Sequence, residues 1–548
     1  MTLLFALACT GSSASTETAG SPTDTTSDTA AATPPVPLIE HGQVSCSDPD
    51  ARDAEGPYVR TELGSTWQDQ LPEGWEGDFD YGNGLVVVDF DGDGLLDLLA
   101  ADEQRPQLFL GRDDGRLTDG PPLPTLEDLD DDESWRVSMA SAADIDGDGD
   151  LDVLLGLRGH RDRLWLNVGE ATFADVTATS GLPAVEHNLR TAPWGDIDGD
   201  GDLDLFLGYE RDGNEPPDPG QDNALLLNVG DGVFEDVSDR LQPEDRDGYT
   251  MGGAFVDVDD DGDQDLYIVN HRPTWRGNRL LLNAGDGTFE AAGEDAGLDV
   301  VTEGMGLGIG DLNGDGWPDM LVSGWGETPL MESAGDGTWY RTEAVRGLVP
   351  DATIDQVVGW GSELADLDND GDLDAMTMFG PGGGSDELED PDDQPDGTWL
   401  QGDDGVFESV GEAWGLDQTR SHRSVALVDF DRDGWLDVFK GATAGKARYY
   451  AARCGEASWL GVRLQGEAPN TGASGARVEV TVGETVHTRW VVGSGSGYQV
   501  TLPPEAHFGL GEAATVDQLV VHWPAGQTST WTDVDARQWV TAIEPGAE

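Results

Sequence analysis

Lysine is nearly missing from this chain of 548 residues. Lys440 and Lys446 are the only two, and with arginine the cations number 29 against 109 carboxylates. The formal charge of -80 argues against nucleic-acid binding, because neutralising phosphates requires a basic face. It points instead to cations, basic partners or a salty medium in which a solvated acidic surface resists aggregation. Most carboxylates outside the loops described below read as that surface. Long apolar runs are lacking too, so no later segment reads as a membrane-spanning helix. Cysteine is limited to Cys9, Cys46 and Cys454, far from a disulfide-rich framework. Aromatic and aliphatic content still suffices for a large core, so the acidity does not imply global disorder.

The N-terminus, Met-Thr-Leu-Leu-Phe-Ala-Leu-Ala-Cys-Thr-Gly, is a short apolar run ending in small residues before Cys9, the pattern of an export signal. It resembles a bacterial lipobox with Cys9 as the lipidated residue. It departs from that pattern in having no cation before the run and Ala6 where Leu is usual. Residues 1–9 are therefore expected to be a lipoprotein-type signal region. Residues 10–42, rich in Ser, Thr, Pro and Asp, are expected to be a disordered tether.

What the chain has in abundance is one pattern, D-x-[DN]-x-D-G-x-x-D. It occurs seven times, beginning at Asp89, Asp144, Asp196, Asp257, Asp311, Asp366 and Asp429, at intervals of 55, 52, 61, 54, 55 and 63 residues. That spacing is a supersecondary repeat. Apolar runs flank each copy, such as Leu85-Val86-Val87-Val88 before and Leu205-Phe206-Leu207 after. They read as buried strands, so each copy is a strand–loop–strand turn. A second signature follows, as in Leu-Leu-Leu-Asn-Val-Gly-Asp-Gly (225–232) before Phe234, where Asn or Asp with Gly marks a hairpin. Each unit thus supplies about four strands, one blade of a propeller.

The seventh unit stops after Ala447-Arg448-Tyr449-Tyr450-Ala451-Ala452-Arg453-Cys454 without its last strand, and Gly56-Pro57-Tyr58-Val59-Arg60-Thr61-Glu62 resembles the missing piece. The N-terminal segment is expected to complete blade seven and close the ring, removing exposed sheet edges. Cys46 and Cys454 flank that junction, and a Cys46–Cys454 disulfide would lock it.

The loops point to Ca²⁺, which takes six to eight oxygens at about 2.3–2.6 Å in irregular geometry. Positions 1, 3, 5 and 9 supply carboxylates: Asp89, Asp91, Asp93 and Asp97 in the first loop and Asp144, Asp146, Asp148 and Asp152 in the second. The third has Asp196, Asp198, Asp200 and Asp204, and the fourth Asp257, Asp259, Asp261 and Asp265. The fifth carries Asp311, Asn313, Asp315 and Asp319, where Asn313 donates oxygen without charge. Asp366, Asp368, Asp370 and Asp374 form the sixth, and Asp429, Asp431, Asp433 and Asp437 the seventh. Glycine at position 6 permits the turn. An EF-hand shares the opening triplet but needs flanking helices and an acid at position 12; here position 12 is Ala100, Leu155, Leu207, Ile268, Val322, Thr377 or Lys440.

These units resemble FG-GAP/VCBS repeats, the calcium-bearing blades of integrin α-subunit propellers, over roughly Gln43 to Cys454. From Glu456 the repeat gives way to alternating strands. Gly475-Ala476-Arg477-Val478, Gly497-Tyr498, His507-Phe508-Gly509-Leu510-Gly511 and Val521-His522-Trp523-Pro524-Ala525-Gly526 resemble the ASPIC/UnbV domain. The combination is that of the cartilage acidic protein family, including its bacterial members. The resemblance implies an all-β chain. It also implies a seven-bladed, integrin-α-like propeller over 43–455 with about seven structural calcium ions, and a small β-sandwich-like module over 456–548.

Catalytic constellations are sparse. Gly493-Ser494-Gly495-Ser496-Gly497 lacks the following Lys and helix of a phosphate cradle and reads as a flexible connection. His160, His187, His271 and His422 show no zinc spacing, and His507 and His522 read as packing residues without a nucleophile pattern. The expected function is an exported, non-enzymatic adhesion or recognition protein, secreted or anchored at a bacterial surface, that binds an extracellular protein or glycan. The alternative is an exported carbohydrate-active enzyme with structural calcium and an acidic pair hidden among the many acids.

Overall fold

Each Asp-Gly loop sits between two apolar runs, and in the computed structural model each becomes the turn between the innermost and second strands of an antiparallel sheet. The structure describes residues 38–49, 51–52, 56–61, 84–101, 106–126, 129, 136–210, 222–271, 277–292, 296–350, 357–380, 394–419, 422–442, 447–494 and 497–547. Cys9 and nearly all of the tether lie outside them. The chain is all-β: a seven-bladed propeller followed by a β-sandwich. Blade 2 shows the pattern, with strands Arg136–Ala143, Asp152–Arg158, Arg163–Asn167 and Phe173–Asp175. Blade 3 departs from it because Pro193 interrupts the innermost strand between Asn188–Thr191 and Trp194–Gly195, proline having no N–H to give a ladder.

Blade 7 is built from both ends of the repeat region. His422–Val428, Asp437–Ala442 and Arg448–Ala452 are completed by Tyr58–Arg60, with Tyr58 opposite Ala452 and Arg60 opposite Tyr450. The closure expected from the truncated seventh unit is therefore observed, and Cys46 and Cys454 are joined beside it with Cα atoms 5.5 Å apart. Every innermost strand packs against that of the next blade, and blade 7 packs against blade 1.

The core lies between blades rather than within them. Seven apolar clusters fill the spaces between neighbours. One joins Leu85, Val87 and Leu98 of blade 1 to Ala426, Val428 and Phe439 of blade 7. Burying one Leu or Phe side chain contributes about 1.5–3 kcal/mol. Clusters of at least ten such residues make interblade packing the dominant stabilising term.

The C-terminal module is two four-stranded sheets around one core that includes Leu460, Val478, Phe508, Leu519 and Val540. The first sheet gains an edge strand that composition alone assigns to the tether. Ile39–Glu40 pairs with Thr541 and Val540, and Val44 N–H donates to Arg537 O at 2.7 Å. Order here begins earlier than residue 43 because the module's open edge supplies partners that the polar segment cannot supply itself.

Candidate metal loops and the module that covers them

Every loop turns on two left-handed residues. Position 6 is glycine with φ between +85° and +108° throughout. Position 4 is also left-handed and need not be glycine, since Asp260, Asn369 and Arg432 adopt φ of 59°, 62° and 63°, an uncommon state for such residues. No single residue type marks this second special position in the sequence, because its occupants vary.

Position 9 organises the hairpin. In the third loop, Asp204 Oδ2 accepts Ile197 N–H at 2.9 Å and Oδ1 accepts Asn228 N–H at 2.8 Å. The same pair of backbone donors recurs at Asp97, Asp152, Asp265, Asp319, Asp374 and Asp437. Position 1 takes the N–H of position 6, as in Gly94 to Asp89 at 2.8 Å. Position 5 accepts the N–H of position 7, as in Leu95 to Asp93 at 2.8 Å, and lies beside the position 3 carboxylate, as Asp93 does beside Asp91. Carboxylates at positions 1, 3 and 9 converge. In the first, second, third, fourth and sixth loops one oxygen from each lies within 4.8 Å of the others.

The donor set fits a hard divalent cation. Buried oxygens Asp146 Oδ1, Asp198 Oδ1, Asp366 Oδ1 and Asp429 Oδ1 have no hydrogen-bond donor, although buried acceptors are normally paired. Burial pushes the position 9 carboxyls up, to about 7 at Asp97 and about 8 at Asp152, Asp204, Asp265 and Asp319, against the backbone donors that oppose it. A cation at the centre would restore the charged forms.

The hairpin asparagines have a role beyond their turn. Asn167 Nδ2 donates to Phe90 O, Asn228 to Ile145 O and Asn283 to Ile197 O, each at 2.9 Å, and Gln401 Nε2 donates to Leu312 O at 3.0 Å. Each bond staples a blade to position 2 of the preceding blade's loop. The second signature therefore encodes ring assembly as well as a hairpin.

The module sits on this face and reaches all seven loops. Arg463 Nη2 donates to Gly94 O at 2.9 Å in the first. Thr471 donates its hydroxyl to Asp144 in the second, and Pro469 lies against Gly147 and against Gly201 of the third. Arg477 pairs with Asp260, and Gln264 Nε2 reaches Ser474 O at 3.2 Å, in the fourth. The Val486 carbonyl lies against Gly314 of the fifth. Gly511 N–H donates to Asn369 O at 2.9 Å in the sixth. In the seventh, Trp539 Nε1 donates to Asp429 Oδ2 at 2.8 Å, His507 Nε2 to Gly434 O at 3.1 Å, and Arg432 grips Glu505 with both terminal guanidinium nitrogens.

The Gly-Ser segment is not a loose connection. Gly493 bridges to Trp194 of blade 3, and Val500–Thr501 pairs in parallel with Leu85 and Val86 of blade 1. Tyr498 packs on Trp360 of blade 6 with ring centroids 5.6 Å apart. Residues 493–494 and 497–501 thus cross the propeller's channel and touch blades on opposite sides. Two of the histidines have acidic partners. His422 meets Asp396 at 2.6 Å beside Lys440 at 2.9 Å, all with fully buried side chains, and His522 meets Glu479 at 3.2 Å.

A family model described as an FG-GAP-like repeat matches residues 89–155, 144–207, 196–268, 257–322 and 311–377, and one described as ASPIC and UnbV matches residues 466–548. The seventh loop lies beyond the repeat matches. Cartilage acidic protein 1 of Xenopus tropicalis is 25% identical over 492 residues, covering 82% of this chain and 71% of its own. The Homo sapiens protein of that name is 26% identical over 487 residues, covering 81% and 69%. Among solved structures, a lectin of Agrocybe aegerita that recognises non-reducing terminal N-acetylglucosamine aligns with TM-score 0.40 and 19% identity over 62% of this chain and 84% of that one. The BP39L lectin of Burkholderia pseudomallei aligns with TM-score 0.42 and 12% identity over 69% and 97%.

Proposed function

The chain belongs to the FG-GAP-repeat proteins that carry a C-terminal ASPIC/UnbV domain, and from that membership we propose that it is an exported calcium-binding recognition protein. Its propeller is a rigid platform that presents one face to an extracellular protein or glycan. The observation that carries the reading is one loop recurring seven times with position 9 carboxylates that each accept two backbone N–H groups, convergent acids in five copies and buried oxygens lacking donors in four. Such loops suit Ca²⁺, which accepts irregular all-oxygen coordination. The Cys46–Cys454 link supports an oxidising compartment. Because the module covers the loop face, the binding surface is assigned to the opposite face and the rim, where connecting loops carry recognition on a rigid scaffold. The sealed His422–Asp396–Lys440 cluster, with no exposed side-chain surface, supports binding over catalysis.

Equilibrium dialysis of the full chain tests the calcium reading, with about seven equivalents expected. Uptake of fewer than three at millimolar calcium would overturn it. A protein and glycan array probed in calcium and in chelator then tests recognition, with calcium-dependent binding to one class expected. A blank array alongside turnover of a polysaccharide would replace recognition with the enzymatic alternative.

A further inference from the structure

We propose that the C-terminal module is a metal-conditional cap: it docks on the propeller while the loops hold their ions and lets go when they are stripped. The inference rests on the calcium reading above, and what it adds is a role for the module.

The contacts address the parts of each loop whose positions an ion would set. They fall on the position 1 carboxylates of Asp144 and Asp429, on the carbonyls of Gly94, Asn369 and Gly434, and on the glycine faces of Gly147 and Gly371. The fit has no slack. A Cβ on Gly434 would stand 1.6 Å from the Trp459 ring, and one on Gly371 would stand 2.9 Å from His487. A loop that opens by an ångström therefore loses its partner. Without an ion, the first, second, third, fourth and sixth loops hold carboxylates on positions 1, 3 and 9 within 4.8 Å of one another. Mutual repulsion in that space drives opening.

Charge decides the direction. The module has four cations, Arg463, Arg477, Arg489 and Arg537, against eleven acids, so its net charge is -7. Three arginines face the loops: Arg463 reaches Gly94, Arg477 reaches Asp260, and Arg489 lies among Asp311, Asp366 and Asp372. Removing divalent ions adds two negative charges per loop to a face already opposed to an acidic module. The arginines gain attraction, but the net repulsion between the bodies grows with every ion lost, and the shape the arginines need is lost with it. Release also withdraws residues 497–501 from the channel and uncovers the inner walls at Glu363 and Trp360, which they now seal.

Hydrogen exchange on the full chain tests this, read in calcium and after chelation with ion content measured in parallel. Amides that bridge the bodies directly include Gly511 N–H to Asn369 O, and Leu85 N–H to Gln499 O at 3.0 Å. Chelation is expected to speed exchange at both by tenfold or more while the second strands, such as Asp204–Glu210, stay protected. Returned calcium should restore the original rates. Asp431→Ala, at an exposed position 3, is expected to loosen Gly511 severalfold even in saturating calcium. Unchanged exchange after ions have demonstrably left overturns the cap. So does simultaneous loss of protection across propeller and module, because the two then melt as one body. A chain that takes up no calcium fails in the ion measurement, which is the failure of the calcium reading itself.

Discussion

Replacing Asp204 by alanine separates the position 9 aspartate's two roles, because one survives without metal. Both carboxylate oxygens accept backbone N–H groups, from Ile197 at 2.9 Å and Asn228 at 2.8 Å, and the side chain is fully buried. Alanine leaves two buried donors unpaired, each costing about 1–3 kcal/mol, so the metal-free protein should lose about 2–6 kcal/mol. At about 2 °C per kcal/mol for a large domain, the unfolding midpoint in chelator should fall by about 4–12 °C. Asp200→Ala is the control: exposed at position 5, it loses only a 3.0 Å contact from Asp202 N–H and should shift the midpoint by less than about 2 °C. Asp204→Asn keeps one carbonyl acceptor and should fall between the two. The assay is calorimetric melting of all three variants in chelator, then in calcium, where each also loses whatever the ion contributed. If Asp204→Ala and Asp200→Ala melt together in chelator, the two N–H groups find other acceptors, and position 9 is a metal ligand only.

Glu363 is a buried carboxyl whose pKa burial raises from 4.5 to about 8. The folded chain therefore keeps a proton that the unfolded chain releases, and stability falls as pH rises from 4.5 to 8. The loss should be on the order of 4 kcal/mol by pH 7.5. Glu363→Gln should flatten that decline across pH 5 to 8.5 in calcium, and parallel profiles for both proteins would refute it. The Cys46–Cys454 link spans 408 residues, and chain-entropy scaling assigns such a loop about 6 kcal/mol. Reductant should lower the denaturant midpoint of the native chain but leave the Cys46→Ser, Cys454→Ser double variant unchanged. A loss under 1 kcal/mol would show that the Tyr58–Arg60 pairing alone holds the ends together.

Local chemistry made the blades legible. Gly94 and Gly149 must be glycine for the turn, flanking apolar runs such as Leu205-Phe206-Leu207 are buried strands, and the missing strand after Ala452 pointed back to Tyr58. What stayed hidden depends on surfaces meeting across distance. Pro469, Thr471 and Trp539 look like ordinary loop and strand residues until the module is laid on the loops, where they touch Gly147, Asp144 and Asp429. Ile39 and Glu40 sit in a segment whose composition carries no strand signal, and only the edge at Val540 makes them one. The Gly-Ser stretch has the composition of a hinge, yet Tyr498 anchors its far end on Trp360.

Ring closure by Tyr58–Arg60 has a kinetic consequence. That strand's partner, Arg448–Ala452, is nearly four hundred residues further along the chain, and the partner of Ile39–Glu40 is later still. Six blades can form from contacts between sequence neighbours, but the seventh waits for an encounter between distant ends, the kind of step that makes a topology slow to fold. Until it happens, blades 1 and 7 each expose an uncovered apolar flank. The nascent ring is most prone to self-association just before it becomes most stable.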